Sequence, residues 1–306
     1  MSSSIIVIGS SNTDMVVRTE RFPAVGETII GGNFLMNAGG KGANQAVAAA
    51  RLGGNVTFVC KTGNDIFGKE ALNSFAQEGI DISLAVTATN HPSGVAVIMV
   101  DDHAENIIVV APGANAELKR EDIDHAKIKI TKAGSLLMQL ETPLETVEYA
   151  AKFAYENGIK VVLNPAPACK LPNHLFKYLS IITPNEKEAG MLTDIQIDSI
   201  DAAKNAALKL YGKGVETVII TMGSKGALML HDDIFTHVKA PIVKAVDTTA
   251  AGDVFNGALV VALSEGKSLI GAVEFACQAS AISVTREGAQ NSAPYREEVI
   301  EKISMA

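Results

Sequence analysis

Apolar positions along the chain fall into two alternating patterns. Short β-branched runs, IIVIG (5–9), NVTFVC (55–60), SLLMQL (135–140), KVVLNP (160–165), IITPNE (181–186) and TVIITMG (217–223), are continuous rather than alternating and read as strands of a buried sheet. Between them lie stretches with helical spacing: ANQAVAAARLG (43–53), GKEALNSFAQEG (68–79), LETVEYAAKFAYENG (144–158) and IDAAKNAALKLYGKG (200–214). Several close on a glycine, as a helix C-cap does. The repeated βα order predicts a single α/β domain over residues 1–306, with a mostly parallel central sheet, right-handed crossovers and helices on both faces.

Two regions depart from that rhythm. MVVRTE (15–20) and ETIIGGNFLM (27–36) flank the turn FPAVGE, and GVAVIMV (94–100) and NIIVVAPG (106–113) flank the polar tip DDHAE. Both read as antiparallel ribbons, at about 15–37 and 93–110. They predict a small β-sheet acting as a lid over a site or as a dimerisation surface; extra edge strands of the main sheet fit the pattern equally well.

Composition narrows the function. With 306 residues, 47% apolar and 20% charged, the chain has a globular balance, and its net charge of −8 comes without any Lys/Arg block. Nucleic acid and anionic membranes are therefore not the expected partners, and small-molecule chemistry is. The first apolar run, Ile5 to Ile8, is too short for a signal-peptide core, and nothing approaches the ~20 apolar residues of a membrane span. Cys60, Cys169 and Cys277 are isolated and odd in number, which suits reduced thiols and a cytoplasmic location. No histidine spacing matches a zinc site.

Polar residues gather where the strand-like runs end: Asn12 and Asp14, Glu141, Asn164, Asn185 and Glu188, Thr221 and Ser224. Each alone could cap a helix, but at one edge of an open parallel sheet they would converge on a crevice. The strongest local signal is DTTAAGDVFNGALVVAL (247–263), a small-residue loop opening a helix. Ala250, Ala251 and Gly252 let backbone N–H groups approach a ligand, forming an anion hole suited to phosphate. Asp253 would be a general base there, or simply an N-cap. A second glycine-rich helix start, AGGKGANQAVAAARLGG (38–54), offers Lys41 and Asn44 as donors to a polyhydroxylated ligand. It matches neither GxxxxGK[ST] nor GxGxxG; the first strand-to-helix turn, IGSSNTD, likewise lacks the glycines of a nicotinamide-binding fold, and HRD and DFG motifs are missing.

Along nearly its whole length the sequence resembles the ribokinase-like (PfkB) carbohydrate kinase family. GGKGANQAVAAARLG at 39–53 resembles its amino-terminal signature and DTTAAGDVFNGAL at 247–259 its carboxy-terminal one. LLMQLETP, LNPAPA, ITPNEKEA, ITMGSKGA and VTREGAQNS are similar to the ribose-phosphorylating members. The resemblance implies transfer of the γ-phosphoryl group of ATP to the 5-hydroxyl of D-ribose, yielding D-ribose 5-phosphate and ADP. Related sugars such as deoxyribose or fructose are the nearest alternatives, and a non-catalytic sugar-binding protein the more distant one. It also implies that Asn12, Asp14, Gly39, Gly40, Lys41, Gly42, Asn44, Glu141 and Asp253 hold the sugar, with Asp253 as the base. Asn185, Thr221, Gly223, Ser224, Lys225, Gly226, Gly252 and Cys277 would contact ATP, Cys277 standing where relatives often carry His or Asn. Glu188 would organise Mg²⁺ through water, and Asp247, Thr249, Ser283, Arg286, Gly288 and Ser292 would surround an activating K⁺. The lid sheet would form a homodimer.

Overall fold

The structure is a computed structural model, and it describes residues 3–103 and 105–304. In chain order the elements are β1 (Ile5–Ile8), β2 (Asn12–Arg18), β3 (Asn33–Gly39), α1 (Lys41–Arg51), β4 (Val56–Val59), β5 (Lys61–Gly63), α2 (Ile66–Gln77), β6 (Val86–Ala88), β7 (Gly94–Val100) and β8 (Asn106–Ala111). These are followed by α3 (Arg120–Ile130), β9 (Ser135–Met138), α4 (Leu144–Glu156), β10 (Lys160–Leu163), α5 (Asn173–Phe176), β11 (Ile181–Ile182), α6 (Glu186–Thr193) and α7 (Ile200–Tyr211). The chain finishes with β12 (Thr217–Thr221), β13 (Ala227–His231), β14 (Ile234–Val238), α8 (Ala251–Ser264), α9 (Leu269–Ser283) and α10 (Arg296–Ser304).

The main sheet has the order β14-β13-β12-β11-β10-β9-β1-β4, parallel from β12 through β4. Its strands are apolar throughout because each side chain has a buried face to enter. Ile5, Val7, Leu137, Val162, Ile181 and Ile219 point into one layer with α1, α8 and α9. Ile6, Ile8, Leu136, Met138, Val161, Leu163, Ile182, Val218 and Ile220 point into the other, against α3, α4, α6 and α7. Each of these side chains contributes about 1.5–3 kcal/mol by leaving water. The expected two-sided α/β architecture is the one observed. The antiparallel hairpin of β13 and β14 extends it, turning through Asp232 and Asp233, both with positive φ.

The second sheet has the order β3-β2-β7-β8. Each predicted ribbon pairs antiparallel, and the two ribbons join through a parallel β2–β7 ladder that sets Asn12 opposite both Gly39 and Gly94. The boundaries of the first ribbon differ from expectation: β2 starts earlier, at Asn12, and ends at Arg18, residues 27–32 are coil, and β3 begins only at Asn33 and runs to Gly39. Gly31 and Gly32 have φ of 131° and 97°, and a Cβ on Gly32 would meet the Arg18 carbonyl oxygen at 2.1 Å, so the ladder cannot continue through them. That loop closes on itself instead, with Glu27 accepting from the Ala24 N–H at 2.9 Å and pairing with Arg21. Every described residue of β8, and Phe34, Leu35 and Met36 of β3, remain exposed.

Candidate active site

All the parallel strands end at the same edge, where the buried runs give way to polar residues: Ser10 after β1, Gln139 and Glu141 after β9, Asn164 after β10, Thr183 after β11 and Thr221 closing β12. Over this edge α8 begins in an unusual way. Ala250 adopts φ 58° and serves as the N-cap without any side-chain bond, so the chain enters the helix sharply. Among the described residues the N–H groups of Gly252 and Asp253 have no acceptor, while the Val254 N–H bonds the Ala250 carbonyl at 2.9 Å. Free amides, the positive helix end and open space around Gly252 make this a cradle for an anion.

Asp253 lies in the first turn, only 5% exposed. Asn44 Nδ2 donates to its Oδ2 at 2.9 Å and Gln45 Nε2 to its Oδ1 at 2.9 Å, so helix α1 clamps both carboxylate oxygens. Burial raises its pKa above the carboxylate range, against the pull of Lys41 and the two amides, which makes it a better proton acceptor than a solvated aspartate. Lys41 is held charged, above the usual lysine range: burial opposes the charge, but Asp253, Glu141, Glu188 and Asp14 outweigh it.

On the lid side of Asp253 lie the residues expected to hold the sugar. Glu141 Oε2 accepts from Ser10 Oγ at 2.5 Å and from the Lys41 N–H at 2.9 Å. Asp14, on β2, lies so close over Gly39 that a Cβ there would meet its Oδ2 at 2.2 Å. Burial first, then Glu141 and Asp253, raise the Asp14 pKa to about 6. Asn12 Oδ1 accepts from Asn115 Nδ2 at 2.7 Å. Gly40 has φ 90° and Gly42 packs against Ser10 and Gly9, where a Cβ would lie 2.5 Å from the Ser10 nitrogen, so the glycines bring α1 down onto the sheet edge. Asn44 Oδ1 is buried and without a partner among the described residues.

On the other side two adjoining cavities open. The smaller, about 190 Å³, is lined by Lys41, Asn164, Asn185, Glu188, Thr248 and Ala250 to Asp253, among others. The larger, about 450 Å³, has the size of a small-molecule site of ~300–1,000 Å³. Thr221, Gly223, Ser224, Gly226, Gly252 and Cys277 border it, facing an apolar wall of Ala240 to Val243. Thr221, Thr248, Ala251 and Gly252 border both, so a molecule with a flat apolar end and an anionic tail would reach the amide cradle. Lys225 does not line either cavity; its ammonium turns to Glu186 at 3.2 Å. Glu188 and Asn185 cap one another, the Asn185 N–H donating to Glu188 Oε2 at 2.8 Å. Burial raises the Glu188 pKa, against the Asn185 N–H and Lys41. The Cys277 thiol is pushed up to about 12 by burial and by Glu274, so it is a neutral, weakly polar wall.

Flanking α8, the loop 247–249 meets the turn 283–292. Asp247 accepts from the Thr249 N–H at 2.8 Å and the Gly288 N–H at 2.9 Å, and although partial burial opposes its charge, these bonds hold its pKa below the usual range. Ser283 and Ser292 each donate to a backbone carbonyl, at 2.8 Å. The carbonyls of Thr249, Arg286 and Gly288 accept no bond from any described residue. The Arg286 side chain points away, to Glu298. Carbonyl oxygens of this kind are hard ligands, suited to alkali or alkaline-earth cations more than to transition metals.

Sequence reasoning did not find Ser10, Gln45, Asn115, Gln139, Thr183 or Asn256. Thr183 Oγ1 donates to Asn256 Oδ1 at 2.6 Å and Asn256 Nδ2 to the Gly252 carbonyl at 2.7 Å, steadying the cradle from beneath. Gln45 and Asn256 lie inside the two signature segments, and Gln139 and Thr183 directly follow buried strands, but the local sequence of each gives no sign of the distant partner it bonds.

The chain resembles known proteins along its whole length. The chain is 47% identical to a ribokinase of Haemophilus influenzae, with all of both chains covered. It is 39% identical to a deoxyribokinase of Salmonella typhi, covering 98% of this chain and 99% of the relative. An Arabidopsis thaliana ribokinase structure, complexed with ribose and ATP, superposes with a TM-score of 0.94 at 32% identity over the whole of both chains. The model of the pfkB family carbohydrate kinases matches residues 2–296, and with the amide cradle, the buried carboxylate and the paired cavities in place, the chain belongs to that family.

Proposed function

We propose that this kinase transfers the γ-phosphoryl group of ATP to the 5-hydroxyl of D-ribose, giving D-ribose 5-phosphate and ADP. The observation that carries this is the position of Asp253: one buried carboxylate between a polar recess under the lid and free helix-start amides bordering the nucleotide-sized cavity. Ribose would lie among Asn12, Asp14, Gly39 to Gly42, Asn44 and Glu141. ATP would lie along Thr221 to Gly226, with Cys277 at its base and Asn185 toward its phosphates. Asp253 takes the hydroxyl proton as that oxygen attacks phosphorus, and the amides of Gly252 and Asp253, rather than the Ala251 amide that bonds the Thr248 carbonyl at 3.3 Å, receive the charge spread over the phosphoryl oxygens. Lys41, held charged between the carboxylates, steadies the same charge.

Glu188 bonds the Asn185 N–H through Oε2, and its Oε1, without a hydrogen-bond partner among the described residues, fits it to order the waters of Mg²⁺, which when bound with ATP neutralises phosphate charge. The donor-less carbonyls beside Asp247, with Ser283 and Ser292, fit a K⁺ that would strengthen the positive field at the start of α8. The exposed apolar β8 and the free face of β3 support dimerisation through the lid sheet, and three free cysteines support a cytoplasmic location.

Deoxyribose is the second substrate to weigh, because one of the relatives is a deoxyribokinase. ADP release measured with ribose, deoxyribose and fructose, with and without K⁺, tests the proposal. Ribose is expected to give the highest kcat/KM, and preference for deoxyribose or fructose overturns that assignment.

A further inference from the structure

Behind Asp253 three buried amide side chains, Gln45, Gln139 and Asn164, are joined by hydrogen bonds. Gln45 is 0% exposed, Gln139 1% and Asn164 6%, in a setting where an unbonded amide is costly. Gln45 Nε2 donates to Asp253 Oδ1 at 2.9 Å and to Asn164 Oδ1 at 3.1 Å. Gln139 Nε2 donates to Gln45 Oε1 at 2.6 Å, and Asn164 Nδ2 donates to the Thr183 carbonyl at 3.1 Å.

The two ends of this chain fix its sense. A carboxylate and a backbone carbonyl only accept, so the Gln45 atom facing Asp253 and the Asn164 atom facing Thr183 must both be NH₂ groups. Asn164 then turns its oxygen to the second N–H of Gln45, and the Gln45 oxygen is left to Gln139. Any one amide that flipped would set acceptor against acceptor.

Resting on Asp253 as the base, we propose that Gln45 is a positioning residue: it pins one carboxylate oxygen, fixes the rotation of the carboxylate, and leaves the oxygen on the Asn44 side to receive the substrate proton. Gln139 and Asn164 hold the Gln45 amide in that orientation. Lys41 and Asn44 from α1, Asp14 from β2, Glu141 after β9 and Glu188 from α6 surround the same carboxylate. Loss of the Gln45 donor therefore leaves burial and the neighbouring carboxylates less opposed, and protonation of the base moves to higher pH.

The test is the pH profile of kcat and the sugar KM for Gln45→Met and Gln139→Met, with ATP binding as the check on folding. Gln45→Met is expected to lower kcat at pH 7 by about tenfold or more and to move the acid limb of kcat up by about one pH unit, the scale of one charge-assisted hydrogen bond, with KM within about twofold. Gln139→Met touches neither Asp253 nor the sugar recess, and it should move the limb the same way by less. Gln45→Glu keeps the shape but sets a second carboxyl against the base; it should move the limb further still, and carries the test if the methionine variant does not fold. An unmoved acid limb in the variants that bind ATP, or a change in KM alone, overturns the proposal. Normal turnover in Asp253→Asn would instead overturn the base assignment, so the two failures are distinct.

Discussion

Asp14→Asn should make the sugar-free protein more stable at neutral pH while removing its grip on the sugar. Asp14 is mostly buried, close to Glu141 and Asp253, and its pKa stands at about 6 against an ordinary 3.8. Because the folded state binds this proton more tightly than the unfolded one, the native carboxyl is neutral and unstrained below about 4, and the protein loses stability as pH rises through about 6. Each pKa unit corresponds to about 1.4 kcal/mol, so two units set a ceiling near 3 kcal/mol, and water reaching the recess lowers the expected gain to about 1–2 kcal/mol. Chemical denaturation of both proteins at pH 8 and pH 4.5 reads the difference. The Asp14→Asn variant should unfold at higher denaturant concentration at pH 8, the gain shrinking at pH 4.5, while calorimetry finds ribose affinity largely lost. A variant that is less stable at pH 8, or equally stabilised at both values, would refute the reasoning that carboxylate crowding at this site costs folding energy.

Two glycines separate chemistry from scaffold. Gly252 sits in the first turn of α8 with nothing within 4 Å of an added Cβ, so Gly252→Ala should fold and gain up to ~1 kcal/mol of helix propensity, yet crowd the phosphate cradle and lower kcat. Thermal unfolding beside steady-state kinetics checks this, and an alanine variant with full activity would argue that phosphate does not approach there. Gly226 has φ 94° and a Cβ would meet the Val238 carbonyl oxygen at 2.0 Å, so Gly226→Ala should lose several kcal/mol and unfold at clearly lower temperature, whatever ligand is present.

The architecture was legible in the sequence because strands buried on both faces have no polar side to show, so their runs stand out from the amphipathic helices around them. The edge hairpin of β13 and β14 was not, because its turn is Asp232-Asp233 rather than the Asn-Gly or Asp-Gly pairs that announce such turns. The loop at 27–32 looked like strand because Thr28, Ile29 and Ile30 are all β-branched, and the paired positive φ angles of Gly31 and Gly32 stop it. In the site, the helix-start residues of α1 and α8 carry their own local signatures. Gln45 meets Asp253 across 208 positions of sequence and Gln139 meets Gln45 across 94, and a buried amide inside an apolar run gives no sign of its partner until the sheet brings them together. The apolar wall from Ala240 to Val243 was likewise silent, since an exposed loop has no periodicity to read.

The central claim is that one buried carboxylate at the start of α8 takes the proton from the sugar. Asp253→Asn keeps the shape and removes the acceptor, so kcat with ribose and ATP should fall by about 10²-fold or more while ATP still binds. Turnover within a few-fold of the unaltered enzyme would contradict the account.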